Sequence, residues 1–494
     1  MPTERLLSPE YQSEFRKKFI EDYVKALCNP TETRLKLQEK LDLNFHPPIF
    51  FSPERSMHVI SRSSSPENPK VVVANGGCFE YNSEHTYPKS IFESGNGDVE
   101  EADIEDGPLM YGFTKPGDRF VIKGGSETPM ILDKVNESFQ AIGINLGDIK
   151  DCVIVEDLTE CMWKNLSEEN EFAFHVLSAR ALLPIARNTA ELNNFANQAI
   201  LHASLYSKRG FEELCRAHGL PTPKTIYQKY SSNNVSGIAD EIRQAFPNTE
   251  RWVITKDEGV GGRGVHKNIT YAQLSNGFLG EYFQEGETIM TQRQLQLLNN
   301  LSPCARFYID ANGVRFMGAT AQRFSDPEGT RYAGNEWYLG MEEKIHPLFM
   351  QTNYEAAKLL QQSGFIGVNN MDTLIISDIE AINHNEPGQV LLREHNGRPA
   401  MSAIISRIQR GNINGLPITR IHSSTNIEIP EQVFRHPNFI NEINNVNPNV
   451  RAIVGTRYPS ENGKTYLLFC GNNMVSRDGL NKTESDILSL INGL

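Results

Sequence analysis

Hydrophobic and polar positions along the 494-residue chain fall into two regimes that meet near residue 220. In the first, short β-branched runs alternate with stretches of helical spacing. KVVVANGG (70–77) reads as a strand entering a tight glycine turn, and RFVIKGG (119–125) and DCVIVED (151–157) repeat the theme. Between the last two, MILDKVNESFQAIG carries apolar residues at helical spacing. Strands alternating with helices predict a parallel α/β layer. Ahead of it, residues 8–42 read as two helices. The first starts at Ser8-Pro9, an N-cap followed by proline, and is broken at Pro30-Thr31. The acidic piece 97–107 reads as a solvated loop, and residues 158–218 as mostly helical.

After HGLPTP (218–223) the pattern turns β-rich: KTIYQKY, RWVITK, ETIMTQRQL, ARFYID and VRFMGATAQRF. A helix is predicted at NYEAAKLLQQSG (353–364), then strands at MDTLIIS and QVLLREHNGR. This half is α+β with mainly antiparallel character. The fold class expected is therefore α/β followed by α+β, with no internal repeat.

Composition narrows the function classes. At 39% hydrophobic and 22% charged, the chain has the make-up of a globular protein. A formal net charge of -13 disfavours a sequence-independent grip on nucleic acid or on an anionic membrane. No run approaches the roughly 18 apolar residues of a membrane span. The stretch MPTERLLSPEYQSEFRKKF lacks the apolar core of a signal peptide. Seven cysteines, with no C-x-x-C pair, argue against a disulfide framework or zinc cluster and fit a cytoplasmic protein. Cys78, in ANGGCFE, could be a nucleophile, but no partner histidine is identifiable.

The candidate chemistry begins at WVITKDEGVGGRGVHK (252–267). A strand ends in Lys256, and Gly259, Gly261, Gly262 and Gly264 follow. Such a loop lets backbone N–H groups approach an anion, and the lysine adds a point charge suited to phosphate. No Lys-Ser or Lys-Thr follows the glycines, so this is not a Walker A loop. No helix opens on them, so it is not a dinucleotide fingerprint. Taken alone, a glycine-rich hairpin turn explains it equally well. Farther along, Glu394, Asn396 and Arg398 alternate, so they share one face of a strand. If MDTLIIS pairs with that strand, Asp372 joins them. Two carboxylates and an amide oxygen suit Mg²⁺ held together with substrate phosphates. The arginine matches phosphate or carboxylate bidentately. A plain polar strand face remains the alternative.

The order of these pieces carries a resemblance. A lysine (Lys208) stands before Gly-Leu-Pro-Thr-Pro, and a strand lysine before a glycine loop. GFIGVNNMD and Glu-x-Asn-x-Arg come next. Over roughly residues 195–410 this resembles the ATP-grasp superfamily. The preceding α/β layer is similar to the pre-ATP-grasp domain of pheganomycin-type carboxylate–amine (peptide) ligases. The resemblance implies an N-terminal helical segment plus pre-ATP-grasp-like domain over 1–190, and an ATP-grasp domain with a C-terminal extension over 191–494. It implies that Lys208 and Lys256 contact ATP under a flap at 258–264, and that Gln292 and Gln294 occupy the hinge beside adenine. The family usually has an acid there for the ribose hydroxyls. Asp372, Glu394 and Asn396 match its Mg²⁺ ligands, and Arg398 its arginine at the transferred group. Arg306 faces the same site by strand order and is a candidate to hold an acyl phosphate, or a solvent-facing strand arginine. The spacing from Asp372 to Glu394 is long for the family, and IISDIEAINHNEPGQ reads as an enlarged hairpin loop.

The function implied is an ATP- and Mg²⁺-dependent ligase joining a small-molecule carboxylate, amino-acid- or peptide-like, to an amine through an acyl phosphate. ADP and phosphate would be released. Thioester formation on a carrier, a kinase-like outcome, or an inactive nucleotide-binding module are the alternatives. A homodimer is compatible with this reading; no nucleic-acid or membrane partner is expected.

Overall fold

The protein is described from a computed structural model covering residues 56–59, 71–74, 81–82, 87–88, 107–155, 171–174, 205, 208–256, 265–298, 302–324, 332–397, 403–457 and 464–493. The helices expected over 8–42, Cys78, the acidic piece 97–106, the loop Gly259–Gly264 and Arg398 lie outside these residues.

The first layer holds β1 (Ser56–Val59), β2 (Val71–Ala74), β5 (Arg119–Lys123), β6 (Cys152–Val155) and β7 (Glu171–Phe174). Two-residue strands β3 (Tyr81–Asn82) and β4 (Tyr87–Pro88) pair with each other between β2 and α1 (Gly107–Tyr111). The five long strands run parallel in the order β1-β7-β2-β5-β6. Parallel strands covered on both faces read as apolar runs, as VVVA and FVI do. Helix α2 (Thr128–Gln140) has Pro129 in its first turn and buries Ile131, Leu132, Val135 and Phe139, spaced along one face. Within the stretch expected to be mostly helical, residues 171–174 form β7, and residues 158–170, 175–204 and 206–207 lie outside the described residues. Phe172 lies between partners on both sides, Met57 of β1 and Val71 of β2, so sheet pairing overrides local pattern there.

Helix α3 (Lys208–Ala217) leads into a four-stranded antiparallel sheet, ordered β10-β9-β11-β8. It comprises β8 (Thr225–Lys229), β9 (Trp252–Lys256), β10 (Val265–Ile269) and β11 (Thr288–Arg293). Trp252, Ile254, Ile269 and Ile289 pack with Ile238 and Ile242 of α4 (Val235–Ala245) and Leu274 of α5 (Tyr271–Ser275). Thr270 and Gln273 form a capping box at α5.

A larger antiparallel sheet follows. Its strands are β12 (Pro303–Asp310), β13 (Gly313–Phe324), β14 (Tyr332–Tyr338), β15 (Gly367–Ile375), β16 (Val390–Asn396), β17 (Asn412–Ile413), β18 (Leu416–Glu428), β19 (Val450–Arg457) and β20 (Lys464–Asn472). The order is β16-β15-β12-β13-β14-β18-β20-β19, with β17 on β18. Helix α6 (Leu348–Gln362) covers β12 and β13; Ala356 and Ala357 on its buried face permit close approach. The expected hairpin loop after Asp372 instead contains helix α7 (Asp378–His384). Ser377 accepts from Glu380 N–H at its start, and Asn385 ends it in the left-handed conformation. Ala381 anchors it against Leu295, Ile376 and Leu391.

Helix α8 (Ala403–Ile408) and the helix α9 (Arg477–Gly493) complete the chain's main elements. The parallel layer and the large sheet share a continuous core. Ser138 of α2 accepts from Val454 N–H of β19 at 3.2 Å, and Leu109 and Phe139 lie in one cluster with Ile404 and Ile453. No helix among the described residues is long and apolar enough to cross a membrane.

Glu484 fastens α9 to the sheet. It accepts from Arg323 at 3.1 Å and from Ser424, with His422 Nδ1 at 3.8 Å. Burial pulls its carboxyl upward, but His422, the Arg323 charge and Ser424 outweigh that and hold it at about 2. A depressed carboxylate stabilises the fold above its unfolded value near 4.5, and that contribution is lost as pH falls toward 2. Glu484→Gln is therefore expected to cost on the order of 3 kcal/mol at pH 7 in urea unfolding, because it leaves Arg323 without its counter-charge. The gap to the unsubstituted protein should close between about pH 4.5 and 2; a gap independent of pH would refute the assignment.

Candidate functional site

Strand register places the polar residues of the large sheet in two adjacent rows. Glu394 on β16 lies opposite Asp372 on β15, which lies opposite Cys304 on β12, which lies opposite Thr320 on β13. The next row is Asn396, Asn370, Arg306 and Gly318. Residues directly opposed in antiparallel strands share a face, so Asp372, Glu394, Asn396 and Arg306 stand together. The alternate face, with Ala305, Ala319 and Met371, belongs to the core. Register breaks fall beside both rows, between Arg306 and Phe307 and between Asp372 and Thr373. Such bulges re-aim side chains next to functional sites.

Arg306 is 1% exposed, and room for its guanidinium comes from Gly318. That glycine has φ +131°, and a Cβ there would sit 3.0 Å from Arg306 Nη2. Burial, together with the charges of Asp372 and Glu394, pushes the Cys304 thiol well up and disfavours its thiolate. Two opposed carboxylates repel one another, a situation that a cation relieves. The oxygen-only donor set of Asp372, Glu394 and Asn396 fits magnesium shared with phosphates better than a full protein cage. Among the described residues no group of three or more His, Cys, Asp and Glu converges on a metal position.

Lys208, 4% exposed, opens α3 and puts Nζ 3.7 Å from Glu394 Oε1. One turn on, Glu212 reaches the small sheet instead. It accepts from Tyr227 Oη and from Gln292 Nε2, both at 2.7 Å. Helix α3 thus touches both sheets: Phe211 packs on His395 of β16, and Arg209 lies over the Tyr227 ring. Leu392 N–H donates to Pro221 O just beyond the helix. Burial pushes the Glu212 carboxyl up to about 7, against hydrogen bonds from Tyr227 and Thr225 and the charges of Arg216 and Arg393.

The remaining sequence candidates are placed differently. Lys256 lies opposite Ile289, and Gln292 opposite Val253, so the two occupy alternate faces of the small sheet. Lys256 Nζ pairs with Glu287 at 3.0 Å and stands 5.4 Å from the Phe283 ring centre. Gln294 accepts from Asn268 N–H at 3.3 Å and ties down the sheet edge. β16 ends at Asn396, one residue short of Gly397 and two short of Arg398. The sequence reading did not single out Glu212, Tyr227, Glu287 or Asn370. For Glu212 a signal existed: it stands four residues after Lys208, hence on the same helical face.

One helix bridges the two antiparallel sheets, and with the parallel α/β layer this fold has counterparts among solved structures. The chain is similar in fold to an N5-carboxyaminoimidazole ribonucleotide synthetase solved with ADP, with TM-score 0.50, 10% identity, and coverage of 88% of this chain and 97% of that one. Also similar are the Staphylococcus aureus N5-carboxyaminoimidazole synthetase with ADP (TM-score 0.49, 11% identity, 85% and 96% covered) and biotin carboxylase from Campylobacter jejuni (TM-score 0.43, 12% identity, 76% and 90% covered). No protein-family model and no curated protein matches the chain.

Proposed function

We propose that this protein is an ATP-dependent carboxylate–amine ligase that forms an amide or peptide bond through an acyl phosphate. The observation that carries the reading is the pairing of Asp372 with Glu394 on one sheet face, with Lys208 at 3.7 Å and Arg306 in the adjacent row. A carboxylate is a poor electrophile, and phosphorylating it creates a leaving group. In this scheme the protein mainly positions reactants and neutralises charge. Lys208 holds the nucleotide phosphates from the end of α3. Arg306, fixed by burial, binds the acyl phosphate oxygens. Asp372, Glu394 and Asn396 would hold magnesium, which when bound neutralises the phosphate in transfer. Arg398 and the loop 258–264 complete the proposal as the arginine at the transferred group and the closing flap. Lys256 would have to leave Glu287 to reach a phosphate.

The test is incubation with ATP, Mg²⁺ and a panel of amino acids, with nucleotide and condensed product both measured. ADP and phosphate are expected in equal amounts with an amide product. AMP and pyrophosphate as the sole nucleotide products would mean adenylation and sink the acyl-phosphate scheme. ADP formed with thiol acceptors alone would redirect the reading to thioester formation.

A further inference from the structure

A cavity of about 440 Å³ opens at the end of β14, the start of β18 and the end of β20, in the half of the large sheet that lies beyond β13 from the Asp372–Glu394 pair. Its volume falls in the range of small-molecule sites. Its walls are fixed by backbone contacts. Tyr338 lies opposite Arg420, and Leu339 N–H donates to Thr419 O at 2.9 Å. In the turn from β20 into α9, Met474 N–H donates to Asn472 Oδ1 at 3.0 Å and Val475 N–H to Asn472 O at 3.1 Å. Two cations meet on one ring inside these walls: Lys344 Nζ stands 5.2 Å, and Arg420 Cζ 5.9 Å, from the Tyr338 ring centre. Among the described residues neither has a carboxylate at ion-pair distance, whereas the nearby Arg477 is committed to Glu336 at 2.9 Å. In a chain of net charge -13, two like charges left together in one cavity are the exception, and an anion between them relieves their repulsion. The same cavity carries uncovered apolar surface, with Leu339 67% and Met474 71% exposed.

We propose that this cavity is a second ligand site, separate from the rows of Asp372 and Arg306, and that it binds an α-carboxylate carrying an apolar side chain: an acylated amino acid or the carboxy-terminal residue of a short peptide. Arg420 offers a planar fork that matches a carboxylate, and Lys344 a point charge. The Tyr338 ring holds both cations in place before the ligand arrives. Leu339 and Met474 cover the ligand's apolar side chain, and methionine adapts to its shape. Thr419 and Asn473 supply polar groups at the wall; Ser476 is spent, its Oγ accepting from Gly479 N–H at 3.0 Å. A bare anion satisfies the cations but leaves Leu339 and Met474 in water. A neutral amide covers the apolar surface but leaves the cations unpaired. Affinity therefore requires both halves of the ligand. The site does not rest on the ligase reading.

The experiment measures binding to the full chain by calorimetry, without ATP or Mg²⁺, using N-acetylleucine, the peptide Gly-Gly-Leu, N-acetylleucinamide, acetate and inorganic phosphate. N-acetylleucine and Gly-Gly-Leu should both bind saturably, and the tighter of the two tells a free acid from a peptide end. The amide, acetate and phosphate should each bind about tenfold more weakly or worse. Arg420→Met should weaken N-acetylleucine about tenfold or more, the loss expected when a charge-assisted hydrogen bond is removed. Lys344→Met should do the same. Lys344 is exposed, so its replacement leaves the fold intact and decides the question if melting curves show that Arg420→Met does not fold. Unchanged affinity in the folded variants puts the carboxylate elsewhere and overturns the proposal. Phosphate binding as tightly as N-acetylleucine makes the cavity a plain anion site and overturns it too, as does a wild-type chain that binds none of the carboxylates. The ligase reading stands or falls separately, on ADP formation.

Discussion

Glu394→Gln should lower turnover by about 10²-fold or more, the loss typical of removing electrostatic stabilisation from a transition state. The substitution keeps size and hydrogen bonding but removes one of two opposed charges from the Asp372–Glu394 pair. Asp372→Asn should behave alike. The double variant should lose much less than the sum, since groups that hold one cluster act as a unit. Glu285→Gln is the control: its carboxylate is fully exposed and accepts from Ser232 N–H at 2.8 Å, outside both rows. Near-normal turnover of Glu394→Gln at saturating Mg²⁺ would reduce these rows to a polar strand face and favour a nucleotide-binding module without catalysis.

The second large effect is expected at Lys208. Lys208→Met keeps most of the buried stem of a side chain that is 4% exposed but removes its charge, 3.7 Å from Glu394. Nucleotide affinity should fall about 10- to 100-fold, as losing a charge-assisted phosphate contact does. The folded state should also lose about 1–3 kcal/mol, because Glu394 is left beside Asp372 with less compensation. Glu394→Gln added to Lys208→Met should recover part of that stability while restoring no binding. This opposite response of the two readouts distinguishes a phosphate-binding lysine from a structural ion pair. If Lys208→Met bound ATP normally and only melted earlier, its role would be structural.

Much of this architecture was legible because local pattern and final environment agree. VVVA and RFVIK become central parallel strands, buried on both faces, and MILDKVNESFQ becomes the helix beside them. The rows at Glu394 and Asp372 were legible through period-two alternation and an assumed hairpin, and the register observed between β15 and β16 pairs the two residues directly. The intervening segment was misread because its length, rather than its capping signal, governed the reading. Ser377, Asp378 and Glu380 at its head mark a helix N-terminus.

By itself, the sequence determined the alternation of elements, the carboxylate-bearing strand and the order of charged pieces, since these depend on residues a few positions apart. Only tertiary structure decided what those pieces meet. Lys256 ends the expected strand, yet the register with β11 places it opposite Ile289 and beside Glu287 rather than on the face of Gln292. Glu212 carries no motif, yet the packing of α3 between two sheets buries it 2.7 Å from a residue eighty positions away. Which face a strand turns toward a partner, and which charge loses its water, depend on contacts between distant segments, and no local period encodes them.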